Sequence, residues 1–224
     1  MNIEARFRRR AVAGENIADL NRVILGRLSK VKGFWADNKA LSDAYFDDGK
    51  ADGAATDLSS CLCSEYKGAI SYAPRWEASI VDKAKSDDFV TIAFDSDKVN
   101  FKWFINEVFP KIVKAFLPYR AMIVADLDKD LDDFEDICIE AQNTGLDVDG
   151  RDTVFRVHPV NYFDNELCLR AFNMSADKVI QRLTGTVNLV EKCEDGVLLY
   201  VVDKPAIGDE LVALDEKVRQ MLTS

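Results

Sequence analysis

Between Phe89 and Gly145 the apolar residues change their period three times, and this alternation limits the possible folds more than any other feature. Phe89-Val90-Thr91-Ile92-Ala93-Phe94 is a short β-branched and aromatic run that suits a buried strand. Phe101, Phe104, Ile105, Val108, Ile112, Val113 and Phe116 then recur at helical spacing. Arg120–Ala125 is extended and apolar again. Leu127, Leu131, Phe134, Cys138 and Ala141 follow at offsets 0, 4, 7, 11 and 14, which is a helical stripe. Pro110 should kink the first helix, because it lacks an N–H donor and crowds the preceding turn.

The remaining segments are consistent with this alternation. Residues 2–12 read as a first strand, and Ile17, Leu20, Ile24, Leu28 and Val31 mark an amphipathic helix over 15–31. Phe34, Trp35, Tyr45 and Phe46 are expected in the core, and residues 47–53 form a turn-rich loop. A short helix is expected over Asp57–Tyr66, then an extended segment Ile70–Ile80 interrupted at Pro74. Thr153–Tyr162 reads as a strand, and Asn165–Phe172 and Ala176–Leu183 as helices. Val187–Cys193 and Val197–Asp203 flank Asp195-Gly196, a pair suited to a type I′ turn. A closing helix carries Leu211, Leu214, Val218 and Met221 on one stripe.

The order implies an α+β protein: a mixed β-sheet with amphipathic helices packed on it, ending in a β-hairpin followed by a helix. No internal repeat or linker stands out. One domain over 1–224 is therefore expected, with residues 84–88 as the place to look for a seam.

Charge is distributed unevenly. The whole chain carries −10, yet residues 126–152 alone hold eleven acids against Lys129 and Arg151. The first hundred residues are nearly balanced, with 15 basic and 16 acidic side chains. A local field of one sign attracts and orients an oppositely charged partner. With a pI near 4.7, direct nucleic-acid binding is not expected, because phosphate contacts need clustered Lys and Arg. Arg8-Arg9-Arg10 is too short to supply them. No apolar run approaches a membrane span, and no secretory leader is evident, so a cytoplasmic protein is expected. The five scattered cysteines fit free thiols in a reducing compartment.

On the acidic helix, Asp126 or Asp128 can cap the N-terminus and Gly145 the C-terminus. At about 100° per residue, Asp132, Asp133, Asp136 and Glu140 fall opposite the apolar stripe, with Ile139 at the edge of their face. Asp132/Asp136 and Asp136/Glu140 are like charges four apart, each costing an isolated helix about 0.2–0.5 kcal/mol. A basic partner would explain acids placed against helix stability. An ordinary solvated face would carry them as well.

Catalytic readings are weaker. Asp95-Ser96-Asp97 and Asp126-Leu127-Asp128 each follow a strand, where carboxylates can hold Mg²⁺ for phosphoryl transfer. Ile123–Asp128 resembles the first motif of haloacid-dehalogenase phosphatases. It departs at Lys129-Asp130-Leu131, where that family has Gly-Thr-Leu. The acid run does not fit an EF-hand, since a loop starting at Asp128 has Asp133 at position 6 and Ile139 at position 12. Asp147–Asp152 has the acids for a weak Ca²⁺ loop but reads as a plain turn. His158, the single histidine, precedes Pro159 in an extended segment and reads as structural, and no metal or cofactor site is expected.

The stretch from about Val157 to Ser224 resembles immunity proteins of bacterial polymorphic-toxin and contact-dependent inhibition systems. The features are Pro159-Val160-Asn161-Tyr162-Phe163-Asp164 leading into Leu167-Cys168, then Leu183-Thr184-Gly185, the Asp195-Gly196-Val197 hairpin and the final helix. The resemblance implies a non-enzymatic protein that neutralises a cognate toxin domain by occlusion. It transfers no catalytic residue. Together with the local acidity it makes Asp132, Asp133, Asp136, Ile139 and Glu140 the expected partner-binding residues, against a basic toxin domain. The alternatives are a Mg²⁺-dependent phosphoryl-transfer enzyme using the Asp-x-Asp pairs, and an acidic structural or adaptor protein.

Overall fold

Alternate burial of Ile3, Ala5 and Phe7 makes the first strand, β1 (Asn2–Arg10), one face of a core. The computed structural model describes residues 1–36, 44–47 and 53–223. The chain divides into two compact units, Ile3–Pro118 and Tyr119–Ser224. Residues 84–88 lie inside the first unit, as a 3-10 turn leading into a strand.

In the first unit β1 is followed by α1 (Ile17–Leu28), whose Asn16 side chain accepts from the Asp19 amide. Then come β2 (Tyr45–Asp47), β3 (Ala54–Asp57), β4 (Tyr66–Tyr72) and β5 (Asp87–Asp95). The strand order is β2-β3-β4-β5-β1, and β2, β3, β4 and β5 pair antiparallel in sequence. β4 stops before Pro74, which cannot donate to a ladder. Phe34, Tyr66, Phe94 and Phe104 stack edge to face or tilted in one aromatic cluster, and Phe7 meets Phe109.

The helix after β5 begins at Asn100, whose side chain caps the Trp103 amide. It runs through α2 (Phe101–Trp103), a π-helical turn over Phe104–Val108, and α3 (Phe109–Phe116). Pro110 lies in the first turn of α3. The distortion expected from it takes the form of that π turn, in which the Phe109 amide reaches back to the Phe104 carbonyl.

Two expectations for this unit need correction, and a third falls partly outside the described residues. Tyr45 is 70% exposed on the short strand β2, not in the core. The helix expected over Asp57–Tyr66 is a set of turns, because Leu58, Cys61 and Leu62 reach the core from single hydrogen-bonded turns. Residues 48–52 of the expected loop lie outside the described residues.

The second unit starts with β6 (Arg120–Val124), buried along its whole length. It continues with α4 (Leu127–Thr144), β7 (Val160–Phe163), α5 (Asn165–Phe172), α6 (Ala176–Leu183), β8 (Leu189–Cys193), β9 (Gly196–Tyr200) and α7 (Gly208–Thr223). The strand order is β6-β7-β9-β8, with every pair antiparallel. The protein is thus α+β, with helices packed on sheet and a C-terminal hairpin followed by a helix. Asp164 and Ser175 cap α5 and α6. Those helices share a core with the sheet through Phe163, Leu167, Val179, Leu183, Val197 and Leu199.

Two segments depart from expectation here. Only Val160–Tyr162 of the expected strand Thr153–Tyr162 is a strand, because the preceding backbone is satisfied by side chains. The Asp149 amide donates to Thr153 Oγ1, the Phe155 amide to Asp149 Oδ1 and the Val157 amide to Asp215 Oδ1. In the hairpin Cys193 pairs with Gly196, so the turn residues are Glu194 and Asp195, with Glu194 at φ 50°. Gly196 serves close approach instead. A Cβ there would overlap the Phe163 carbonyl oxygen and come within 2.8 Å of the Asp164 Cα.

Candidate protein interface

Helix α4 is built as expected but faces differently. Asp126 caps it by accepting from the Lys129 amide at 3.0 Å, and Gly145 closes it in the left-handed conformation at φ 72°. Asp126 also accepts from the Gly208 amide at 2.8 Å, tying the helix start to the start of α7. Of its 18 residues, the single buried one is Asp133. The apolar stripe does not enter the core. Leu131 is 72% exposed and Phe134 65%, while Cys138 is half-buried.

Asp133 is therefore not a surface acid waiting for a partner. It is 4% exposed and its carboxylate pairs with Arg156 and with Lys129 Nζ at 2.7 Å. Arg156, itself 9% exposed, also reaches Asp215 on α7 at 3.3 Å. Asp215 accepts from the Val157 amide at 2.8 Å and lies 3.1 Å from Arg219. Burial disfavours the Asp133 carboxylate, but hydrogen bonds from Arg156 and Lys129 outweigh it and hold its pKa below the usual range. Asp215 moves upward, first because burial desolvates it, with the Asp133 charge adding to the effect. The two acids share one arginine, and the one closer to it keeps the easier ionisation.

This ion cluster explains the orientation. A buried arginine needs its carboxylates more than a surface stripe needs burial. Asp133 lies about a third of a turn from the middle of the stripe, at about 100° per residue, so docking through it turns the helix away from the orientation the stripe implies. Among the described residues, α4 packs extensively on no other strand or helix. What it shows to solvent is mixed: Asp128, Asp132, Glu135, Asp136 and Glu140 are exposed, and so are Leu131, Phe134 and Ile139. Leu146, just past the C-cap, extends the apolar set.

Of the expected binding residues, Asp132, Asp136, Ile139 and Glu140 thus share one exposed helix, and Asp133 is withdrawn into its anchor. Sequence reasoning missed Leu131 and Phe134, because a regular stripe beside a strand reads as core. The stripe itself carries no signal of this, since its smaller members Cys138 and Ala141 are half-buried while Leu131 and Phe134 are exposed.

Several carboxylates of the alternative sites are engaged in structural contacts. Asp126 uses both carboxylate oxygens on backbone amides, and Asp95 accepts from the Asp97 amide at 3.1 Å. Asp147 and Asp152 accept from amides of their own turn. The Asp149 side chain binds Arg120 at 2.6 Å. Among the described residues no cluster of His, Cys, Asp and Glu is arranged to hold a metal. His158 is buried, its amide and carbonyl bonded to the Asn161 side chain. None of the five cysteines is joined in a disulfide. No described helix is long and apolar enough to cross a membrane.

The fold is similar to that of the Pseudomonas aeruginosa T6SS protein PA0821, with a TM-score of 0.53 and 11% identity over 98% of this chain and 72% of that one. At this identity the likeness concerns the fold. No protein-family model and no curated protein matches the chain.

Proposed function

We propose that this protein is a non-enzymatic acidic binding protein that neutralises a basic toxin domain by occlusion, as immunity proteins do. One observation carries the reading: an 18-residue helix buries only Asp133 and presents apolar residues within a field of acids. A soluble domain gains nothing by exposing Leu131 and Phe134 one turn apart, with Ile139 among the neighbouring acids, unless something covers them. Asp128, Asp132, Asp136 and Glu140 steer a cationic surface towards the helix, and the apolar side chains slow its departure. The fold likeness to a T6SS protein is compatible with a role in a toxin system.

The test is the association rate with a captured basic partner as ionic strength rises. The reading requires a steep fall between low and moderate salt, where screening shortens the reach of exposed charges. An association rate indifferent to salt would remove its basis.

A further inference from the structure

The spacing of the α4 stripe, with Leu131 and Phe134 exposed and Leu127, Cys138 and Ala141 half-buried, says more about what covers it. Leu127, Leu131, Phe134, Cys138 and Ala141 are separated by 4, 3, 4 and 3 residues. That is the strict period of a coiled-coil seam, narrower than the apolar face of a helix lying on a sheet. With Leu131 and Cys138 at a, the d positions are Leu127, Phe134 and Ala141. The e positions are then Asp128, Glu135 and Gln142, and the g positions Asp130 and Ile137. The structure separates the two flanks. Asp128, Glu135 and Gln142 are all exposed, while Asp130 and Ile137 are half-buried on the side turned to the protein. The seam is therefore open along one flank, and that flank is acidic.

We infer that the element seated on α4 is an amphipathic helix with apolar residues at a and d and Lys or Arg on the flank facing Asp128 and Glu135. This rests on the occlusion reading and specifies the partner's contact element. A second copy of α4 is a poor occupant, since it would set Asp128 and Glu135 against like charges. A flat basic surface would meet the acids but leave the seam unfilled. The seam runs about 21 Å from Leu127 to Ala141 at 1.5 Å per residue, long enough for a two-heptad contact.

The probe is a synthetic peptide of about three heptads with Leu at a and d and Lys at e and g, whose lysines oppose its pairing with itself and which is used at a concentration where it is monomeric. A scrambled peptide of the same composition measures attraction by charge alone. Binding to the full chain is read by fluorescence anisotropy at moderate salt. The heptad peptide should bind at least about tenfold more tightly than the scrambled one, and Leu131→Ser with Phe134→Ser should abolish the difference. Both side chains are exposed, so the double variant retains the fold, which circular dichroism confirms. Equal binding of the two peptides, or an advantage that survives the double variant, overturns the inference. So does self-association of the chain that the double variant abolishes. If the peptide fails while a basic partner is still captured through Asp132, Asp136 and Glu140, the helical occupant is wrong and occlusion stands. If the peptide succeeds and no basic partner exists, the seam stands and the toxin reading falls.

Discussion

Replacing Asp133 by alanine tests how α4 is held. The change leaves Arg156 buried with Asp215 as its remaining carboxylate, at 3.3 Å, and frees Lys129. Removing one partner of a buried ion pair costs about 3–5 kcal/mol when the other is left uncompensated. Arg156 keeps one acid and Lys129 can turn to water, so the cost should fall to about 2–3 kcal/mol. With a urea dependence of about 2 kcal/mol per molar, the unfolding midpoint of the second unit drops by roughly 1–1.5 M. Leu131→Ser and Phe134→Ser on the same helix should each stay within about 0.5 kcal/mol of the parent, as exposed positions do. Urea titrations followed by far-ultraviolet circular dichroism give all three values. The opposite ranking, with Asp133→Ala neutral and the stripe variants costly, would mean that α4 docks by its stripe, and the account of the interface would fail.

Other expectations follow from the same structure. Asp133, depressed in the folded state, contributes stability above about pH 3.9 and loses it as pH falls through its folded value, so the deficit of Asp133→Asn should shrink on acidification. Asp215, raised in the folded state, contributes in the opposite sense, most fully below about pH 3.9, so its advantage over Asp215→Asn should decline as pH rises; pH-resolved unfolding shows both trends. Burial pushes the Cys168 thiol up to about 12, so it should resist iodoacetamide at pH 8 in the native protein and react once denatured, as peptide mass mapping would show. Gly196→Ala should cost about 2 kcal/mol, since its methyl group meets the β7 backbone; a thermal shift no larger than that of an exposed control would contradict the close approach.

Legibility followed the range of the interactions. Helices α5 and α6 were readable to the residue, because Asp164 and Ser175 cap them and their periods are local. The strand β6 was readable because its run is apolar on both faces. The orientation of α4 was not, since it depends on Arg156 and Asp215, 23 residues from Asp133 and 59 from Arg156 respectively. Nothing in Leu127–Ala141 records that a distant arginine claims Asp133. The loop before β7 was misread for the same reason, with side chains of Asp149, Thr153 and Asp215 taking amides that a strand would have paired. The acids at 132, 136 and 140 were legible as exposed because their charge alone keeps unpaired carboxylates in water.

The most direct test of the central claim is a low-salt capture from the native host. It compares the parent chain with a variant carrying lysine at 128, 132, 136 and 140 and retaining Asp133. The account predicts that a basic protein is held by the parent alone and released as salt rises. Capture of the same protein by both chains to the same extent would show that the acidic helix is not the binding surface.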